Sequence, residues 1–144
     1  MSSIFDMENV FDNKIIRVYQ NLSSKETVKE MVDCITKLSL EDFEMTSLSK
    51  YISLMPESTI TKKIEKALFI VKQNNLYNVI KYINVRDIKK KLEEYDLQTL
   101  IDFKTYLTDK MYRFTNQEFV MKVIKFTTAV IKQKSDTADA ILNK

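Results

Sequence analysis

Glycine, histidine and tryptophan are absent from this chain of 144 residues, which has one proline and one cysteine. Average usage of about 7 % would give a chain of this length roughly ten glycines. The glycine-dependent turns of dinucleotide sites, Walker loops and nucleophile elbows are therefore excluded. Without histidine there is no Ser-His-Asp or Cys-His pair and no imidazole metal ligand. A single cysteine excludes an internal disulfide.

These absences predict a protein that is not an enzyme and holds no cofactor and no metal. The remaining chemical candidates are two groups of carboxylates, Glu41, Asp42 and Glu44 in one and Glu93, Glu94 and Asp96 in the other. Both lie on segments interrupted by polar residues, so we expect them to stay solvated, which disfavours general acid or base catalysis. A hydrolase that uses carboxylates and a metal stays open as a further alternative.

The balance of apolar and charged residues predicts a folded domain. Apolar residues make up 44 % of the chain and charged residues 30 %, which argues against disorder. The length fits one domain. We therefore expect a single domain over 1–144, with frayed ends at about 1–5 and 136–144. Cys34 lies in an apolar helical pattern and is predicted to be a small buried side chain.

The start of the chain bears on its location in the cell. Asp6 and Glu8 occupy positions where a signal peptide carries basic residues. No apolar run reaches the roughly eighteen residues of a membrane span. The sequence therefore predicts a cytoplasmic protein without a membrane partner, and a nuclear location stays open.

Hydrophobic periodicity predicts helices nearly everywhere. Apolar residues recur at helical spacing throughout, whereas strict alternation over five or more residues is rare. The expected fold class is all-α: a single domain of six to eight amphipathic helices packed as antiparallel hairpins, either a short α-solenoid or a bundle. Five of the expected helices cover 6–20, 40–55, 60–73, 76–83 and 117–133.

Helix ends are predicted from capping residues. Ser23 with Glu26, and Ser39 with Asp42, have the spacing of capping boxes. Pro56 should stop the helix before it. The pair Asn74 and Asn75 should end the next helix, because asparagine is the best substitute for glycine in the left-handed conformation. Further helix starts are expected at Ser58 or Thr59, at Asn75, at Asn84 or Asp87, at Asp96, and at Thr115 or Asn116.

Two stretches, 40–73 and 97–133, resemble each other. Each reads as an amphipathic helix with an internal tyrosine, Tyr51 or Tyr106, followed by a short polar break and a second helix. Stacked helix pairs of this kind build α-solenoids. A repeat of two helix pairs is therefore a hypothesis, and chance similarity between amphipathic hairpins is the alternative.

Charge is distributed unevenly along the chain. Residues 1–58 carry 6 Lys and Arg against 10 Asp and Glu, whereas residues 59–144 carry 17 against 10. This asymmetry predicts an acidic partner for the C-terminal half. The alternative is ordinary solvation by lysine.

The candidate partner-binding residues form a basic run in that half. They are Lys81, Arg86, Lys89, Lys90 and Lys91, with Tyr77, Tyr82 and Tyr95 interleaved. Lysines neutralise phosphates and aromatic rings stack on bases, so nucleic acid is one possible ligand. Helical spacing places Tyr95 on the inward stripe of Ile88 and Tyr82 beside the inward Ile83. A solvated lysine face is therefore favoured over nucleic-acid binding, and if the run binds a partner, an acidic protein surface is preferred.

Several apolar residues fall outside the expected stripes: Met45, Phe69, Ile70, Phe103, Tyr112, Phe114 and Phe126. Some should belong to the core. Any exposed cluster among them would mark a protein partner.

Two stretches resemble helical assembly subunits. Residues 83–141 resemble the small helical subunit of the actin-filament-branching complex built on actin-related proteins, and 76–133 resemble the C-terminal domain of the katanin regulatory subunit. The matching residues are Asn84-Val85-Arg86-Asp87-Ile88, Leu92, Tyr95-Asp96 and Lys104-Thr105-Tyr106-Leu107 for the first and Leu76-Tyr77-Asn78-Val79-Ile80 for the second. The resemblance implies a helical stack that acts in a larger assembly, with the cytoskeleton as one setting.

The sequence thus predicts a non-enzymatic protein–protein interaction module that acts as a subunit, adaptor or inhibitor. A nucleic-acid-binding bundle that uses the basic C-terminal half is the first alternative. A virus-encoded bundle of the apoptosis- or signalling-regulator type has a similar size and is the second alternative.

Overall fold

The computed structural model describes residues 12–142, with side chains described for 12–137. Within this part of the chain there are seven α-helices, a 3₁₀ turn at Met111–Arg113 and no β-strand. The helices are α1 (Asn13–Ser23), α2 (Val28–Leu38), α3 (Asp42–Ser53), α4 (Thr59–Lys81), α5 (Val85–Leu92), α6 (Leu97–Lys110) and α7 (Gln117–Leu142). The predicted all-α class is confirmed, and packing as antiparallel hairpins stays a prediction.

The chain divides into two compact units, unit 1 (Met1–Lys72) and unit 2 (Gln73–Lys144). The division falls inside α4. Each unit has its own cluster of buried apolar side chains. The prediction of a single domain over 1–144 stays a prediction.

The core of unit 1 is mainly aliphatic. Along α1, the buried residues Ile15, Val18 and Leu22 recur at helical spacing, and the side chain of Leu22 is fully buried. The other buried apolar side chains are Met31, Ile35, Leu40, Met45, Leu48, Tyr51, Ile52, Ile64, Ala67, Leu68 and Val71. Each fully buried leucine or isoleucine contributes about 1.5 to 3 kcal/mol relative to an exposed one.

The core of unit 2 contains a larger share of aromatic rings. Phe103 on α6 is fully buried, and partly buried rings, including Tyr77 and Phe114, pack against the same cluster. The buried apolar side chains are Leu76, Ile80, Ile88, Leu92, Leu100, Phe103, Leu107, Val120, Val123 and Val130.

Two predicted capping boxes are wrong by a few residues. α1 continues to Ser23 because Leu22 extends its buried stripe, and α2 begins after Thr27, whose Oγ1 accepts the Glu30 N–H at 3.1 Å. Ser39 does not begin a helix. It ends α2 in the left-handed conformation (φ 52°, ψ 47°), a role that glycine often has.

Other predicted helix starts are confirmed. Ser58 Oγ accepts the Thr61 N–H at 3.2 Å at the start of α4. Asp96 accepts the Thr99 N–H at 2.7 Å at the start of α6, and Asn116 accepts the Phe119 N–H at 3.1 Å at the start of α7. Asn84 precedes α5 as an N-cap without a side-chain bond. Ser58, Asp96 and Asn116 thus satisfy amide groups that have no partner within the helix.

The predicted break at Asn74 and Asn75 is wrong, as is the separate helix over 76–83. α4 continues to Lys81 because apolar burial resumes at Leu76 and Ile80. The Asn74 side chain also has a partner, since the Tyr106 hydroxyl donates a hydrogen bond to Asn74 Oδ1. The helical pattern of burial thus outweighs the local preference of asparagine for turns.

The last helix extends further than expected, and the expected first helix is described only in part. α7 continues to Leu142 rather than ending at residue 133. The expected first helix over 6–20 is described only from residue 12, and α1 begins after Asp12, whose side chain accepts the Lys14 N–H at 3.0 Å. Residues 6–11 of that expected helix, and the frayed segment 1–5, lie outside the described residues.

Candidate functional site

The predicted basic residues lie on and just before α5, an amphipathic helix in unit 2. Ile88 and Leu92 are fully buried, so the rest of this short helix faces away from the core. Arg86, Lys89 and Lys90 are exposed, and Lys81 is exposed at the end of α4. The structure therefore brings four of the five predicted residues to the surface of one short segment.

Lys91, the fifth residue, has a structural role. Its ammonium group lies 3.3 Å from a Glu94 carboxylate oxygen, and its Nζ lies 6.0 Å from the centre of the Tyr95 ring. Its side chain is 34 % exposed. Neither Lys89 nor Lys90 forms an ion pair with a residue in the described part of the chain. Of the three consecutive lysines 89–91, only Lys89 and Lys90 are therefore available to an acidic partner.

Acidic residues interleave with these cations. Residues 81–94 contain five Lys and Arg, but they also contain Asp87, Glu93 and Glu94. All three acids are exposed. The surface is therefore only moderately positive.

The three interleaved tyrosines have different environments. The Tyr77 ring centre lies 4.7 Å from that of Phe114 and 6.3 Å from that of Phe119, and burial raises the pKa of the Tyr77 hydroxyl. Tyr95 packs against the unit 2 core, as its spacing predicted. Tyr82 is 82 % exposed, although the sequence placed it beside the inward-facing Ile83. Among the three, Tyr82 presents its ring to a ligand.

Apolar side chains accompany Tyr82 at the surface. Val79 is 42 % exposed and Val85 is 46 % exposed, and Lys81 Nζ lies 5.9 Å from the centre of the Tyr82 ring. We name this set the α4–α5 corner, and it comprises Val79, Lys81, Tyr82, Val85, Arg86, Lys89 and Lys90. Sequence reasoning missed the valines. The signal was available, because residues 79, 82 and 85 lie off the stripe that contains Leu76, Ile80 and Ile88.

One of the candidate carboxylates is buried, so the prediction that all six stay solvated is wrong. Glu44 forms an ion pair with Lys14 on α1 and accepts the Glu41 N–H at 3.0 Å. The hydrogen bonds from Lys14 and from the Glu41 backbone lower the pKa of Glu44, and the Glu44 carboxylate raises the pKa of Lys14. This arrangement joins α1 to α3 within unit 1.

Two members of the second carboxylate group have partners. Asp96 caps α6 and Glu94 pairs with Lys91. No group of three or more Cys, Asp or Glu side chains in the described residues could hold a metal ion.

The surplus apolar residues divide between core and surface. Met45 and Phe103 are buried, and Phe114 and Phe126 pack against the unit 2 core. Tyr112 is 68 % exposed, with the Arg113 guanidinium carbon 5.5 Å from its ring centre. The side chains of Phe43 and Leu54 are also exposed in unit 1, and both residues fall within the helix expected over 40–55.

Cys34 lies half-buried on α2 and packs against the unit 1 core. It borders an open groove of about 390 Å³ that is also lined by Lys37 and Leu38. The groove contains both charge signs, because Lys25, Glu30 and Asp33 complete its lining with Asn21. The prediction of a buried packing role is thus only partly met.

The helices that the structure describes include none with the length and apolar character needed to cross a membrane. Comparisons with protein families, with curated proteins and with solved structures give no significant match. The resemblance to two helical assembly subunits stays an expectation from the sequence.

Proposed function

We propose that this protein acts by binding another protein through the α4–α5 corner, as a subunit, adaptor or inhibitor of a larger assembly. One observation carries the proposal: Tyr82 is 82 % exposed at a corner that also presents four exposed cations. The proposal assigns no catalytic step to the chain. It places the protein in the cytoplasm.

The composition of the corner supports a protein partner. Tyrosine and arginine are enriched at residues that contribute strongly to protein interfaces, and Tyr82 and Arg86 lie within five positions of each other. Val79 and Val85 add apolar surface that a partner can cover. A tyrosine ring also provides a large contact area with few rotatable bonds, which limits the entropy lost on binding.

The cations support an acidic partner. Exposed charges around an interface mainly raise the association rate of an oppositely charged protein. Arg86, Lys89 and Lys90 suit this role because none is committed to an ion pair within the described residues. Replacing these residues should change the stability of the fold little, since exposed charges contribute little to stability.

Nucleic-acid binding is the second candidate, because an exposed ring beside lysines can stack on a base while the lysines contact phosphates. Tyr82 and its neighbours supply these groups. Asp87, Glu93 and Glu94 oppose this candidate, because they lie on the same segment and repel a continuous row of phosphates. The protein partner is therefore favoured.

The test compares two charge reversals after a partner has been isolated from the native host and purified. Lys89→Glu with Lys90→Glu should slow association with that partner, and the effect should shrink as ionic strength rises. Lys122→Glu with Lys125→Glu is the matched control, because both lysines are exposed on α7 of the same unit. The control should associate at the wild-type rate.

Two outcomes would contradict the proposal. The first is a partner whose binding is insensitive to both the corner reversal and ionic strength. The second is tight binding of duplex or single-stranded oligonucleotides with a steep dependence on salt, which would favour the nucleic-acid candidate. Lys91 is left unchanged in this design because of its ion pair with Glu94.

A further inference from the structure

We infer that Tyr82 is the apolar anchor of the α4–α5 corner, and that the partner is an acidic amphipathic helix that places an apolar side chain against the Tyr82 ring between its carboxylates. The inference rests on the proposed function. It adds the chemical class of the segment that binds and the residue that selects it.

The exposure of Tyr82 is the reason for assigning it as the anchor. The chain keeps its other interleaved rings, Tyr77 and Tyr95, packed against the unit 2 core. Tyr82 instead leaves most of an aromatic side chain in water, and Val79 and Val85, three residues before and after it, are also partly exposed. Covering apolar surface is the main favourable term in most protein association. A partner side chain that covers this ring therefore gains more than one that contacts the cations alone.

The geometry of α5 indicates why the partner helix should have carboxylates. Arg86 and Lys90 are four residues apart, so they lie one above the other on the face opposite Ile88 and Leu92. Carboxylates four residues apart on a partner helix have a similar spacing, about 5 to 6 Å between Cβ atoms. A helix with such a pair can approach both cations, and the inference assigns its apolar face to Tyr82, which precedes Arg86 by four residues.

The acidic residues beside the α4–α5 corner make a uniformly acidic ligand unsuitable. Asp87, Glu93 and Glu94 are exposed on or just after α5. A ligand with negative charge along its whole length meets these carboxylates as well as the cations. A ligand with a few carboxylates and an apolar face avoids that repulsion, which separates the inferred segment from a polyanion.

The experiment uses three labelled synthetic peptides of equal length. The first is an amphipathic helix with glutamates four residues apart and a leucine and phenylalanine stripe. The second keeps every glutamate and replaces the stripe with alanine and serine. The third keeps the stripe and replaces glutamate with lysine. Fluorescence anisotropy measures affinity, and backbone amide chemical shifts identify which residues of the full chain respond.

The first peptide should bind, with the largest shift changes within residues 79–90. The second should bind about tenfold more weakly, which is a typical consequence of losing an interface anchor. The third should not bind, because its lysines meet the cations of the corner.

Substitutions of Tyr82 then separate the contribution of its ring to binding from that of the cations. Tyr82→Ser should weaken binding of the first peptide about tenfold, whereas Tyr82→Phe should retain it. Tyr112→Ser is the matched control, because Tyr112 is also exposed in unit 2 beside a cation. The control should bind like the wild type. All three variants should keep the wild-type melting temperature, since both rings are exposed.

The inference is overturned if the first two peptides bind equally, if no peptide binds, or if Tyr82→Ser binds like the wild type. It is also overturned if a single-stranded oligonucleotide binds more tightly than the first peptide and depends on Tyr82. The proposed function survives the first three results when the charge reversal at Lys89 and Lys90 still slows association with the native partner. The two claims are therefore distinguishable.

Discussion

Both units have ring contacts and polar contacts between helices, but unit 1 has an ion pair between two helices and unit 2 has a larger share of packed aromatic rings. In unit 1, the Lys14–Glu44 ion pair joins α1 to α3, and Lys63 Nζ donates to the Glu26 carbonyl at 2.8 Å. In unit 2, Tyr77 packs against Phe114 and Phe119, and Phe103 fills the core. Both units form helices without glycine.

The comparison teaches how the two units should respond to perturbation. Unit 1 depends on the charge of a buried carboxylate, so acid should weaken it. Unit 2 depends on ring packing and on two tyrosines, Tyr77 and Tyr106, whose hydroxyl pKa values are raised by burial. Alkali should therefore weaken unit 2. The charge difference between the units is smaller than the sequence halves suggest, because the lysines at the start of α4 belong to unit 1.

Core truncation has the largest expected effect. Phe103→Ala should cost about 3 to 5 kcal/mol of unfolding free energy and Leu48→Ala about 2 to 5 kcal/mol, because each side chain is fully buried. Amide hydrogen exchange measures where protection is lost. Each variant should lose protection mainly in its own unit, because the units have separate cores. Equal loss in both units would remove the basis of the comparison.

Replacement of Gln73 should have the next largest effect, and it should stabilise the protein. Gln73 is 1 % exposed, and its Oε1 atom has no hydrogen-bond partner in the described part of the chain. A buried polar atom without a partner costs about 1 to 3 kcal/mol, so Gln73→Leu should raise the unfolding free energy by about 1 kcal/mol. Urea denaturation measures the change.

Gln133→Leu is the control for Gln73→Leu. Gln133 follows Ile131 and Lys132 as Gln73 follows Val71 and Lys72, but its side chain is exposed. Its replacement should change stability by less than about 0.5 kcal/mol. An equal gain from both replacements would show that helix propensity, rather than the unpaired atom, is responsible.

Loss of helix caps should have an effect of similar size in the opposite direction. Asp96→Ala in unit 2 and Thr27→Ala in unit 1 should each cost about 0.5 to 2 kcal/mol, because each side chain accepts an amide hydrogen bond at a helix start. Asn84 makes no such bond before α5, so Asn84→Ala should cost less. Thermal unfolding followed by circular dichroism ranks the three variants. If Asn84→Ala lowers stability as much as the other two substitutions, the side-chain caps at Asp96 and Thr27 do not explain the loss.

The dependence of stability on pH should also distinguish the two units. Near neutral pH, this effect should be the smallest of those considered. The pKa of Glu44 is lowered from 4.5, so its contribution is present above pH 4.5 and is lost as the pH falls through its folded pKa. The pKa values of Tyr77 and Tyr106 are raised from 10.0, so their contribution is present below pH 10.0 and is lost as the pH rises.

Hydrogen exchange in each unit at both pH extremes checks this expectation. Glu44→Gln should reduce the loss of protection in unit 1 between pH 4.5 and lower values. Tyr106→Phe should reduce the alkaline loss in unit 2, although it also removes the hydrogen bond to Asn74. Lys14 adds an alkaline loss in unit 1 only above pH 10.5, because its pKa is raised. Acid loss confined to unit 2 would contradict the role of Glu44.

The candidate site could be predicted from the sequence only in part. The basic run identified the segment, because Arg86, Lys89 and Lys90 fall off the apolar stripe of α5 and must face water. The pairing of Lys91 with Glu94 was not predicted, because several carboxylates were at helical spacing from these lysines. The exposure of Tyr82 depends on how α4 ends and α5 begins, which periodicity does not specify.

The sequence by itself determined the all-α class and the positions of several helix starts. Both depend on local physics: apolar residues at helical spacing select a buried face, and Ser58, Asp96 and Asn116 satisfy amides within their own turn. Only the tertiary structure decided that α4 continues through Asn74 and Asn75, that Glu44 is buried against Lys14 and that Tyr82 remains exposed. For α4 and for Glu44, packing and pairing between residues distant in sequence outweigh local preferences of about 0.5 to 1 kcal/mol, whereas the exposure of Tyr82 follows from where α4 ends and α5 begins.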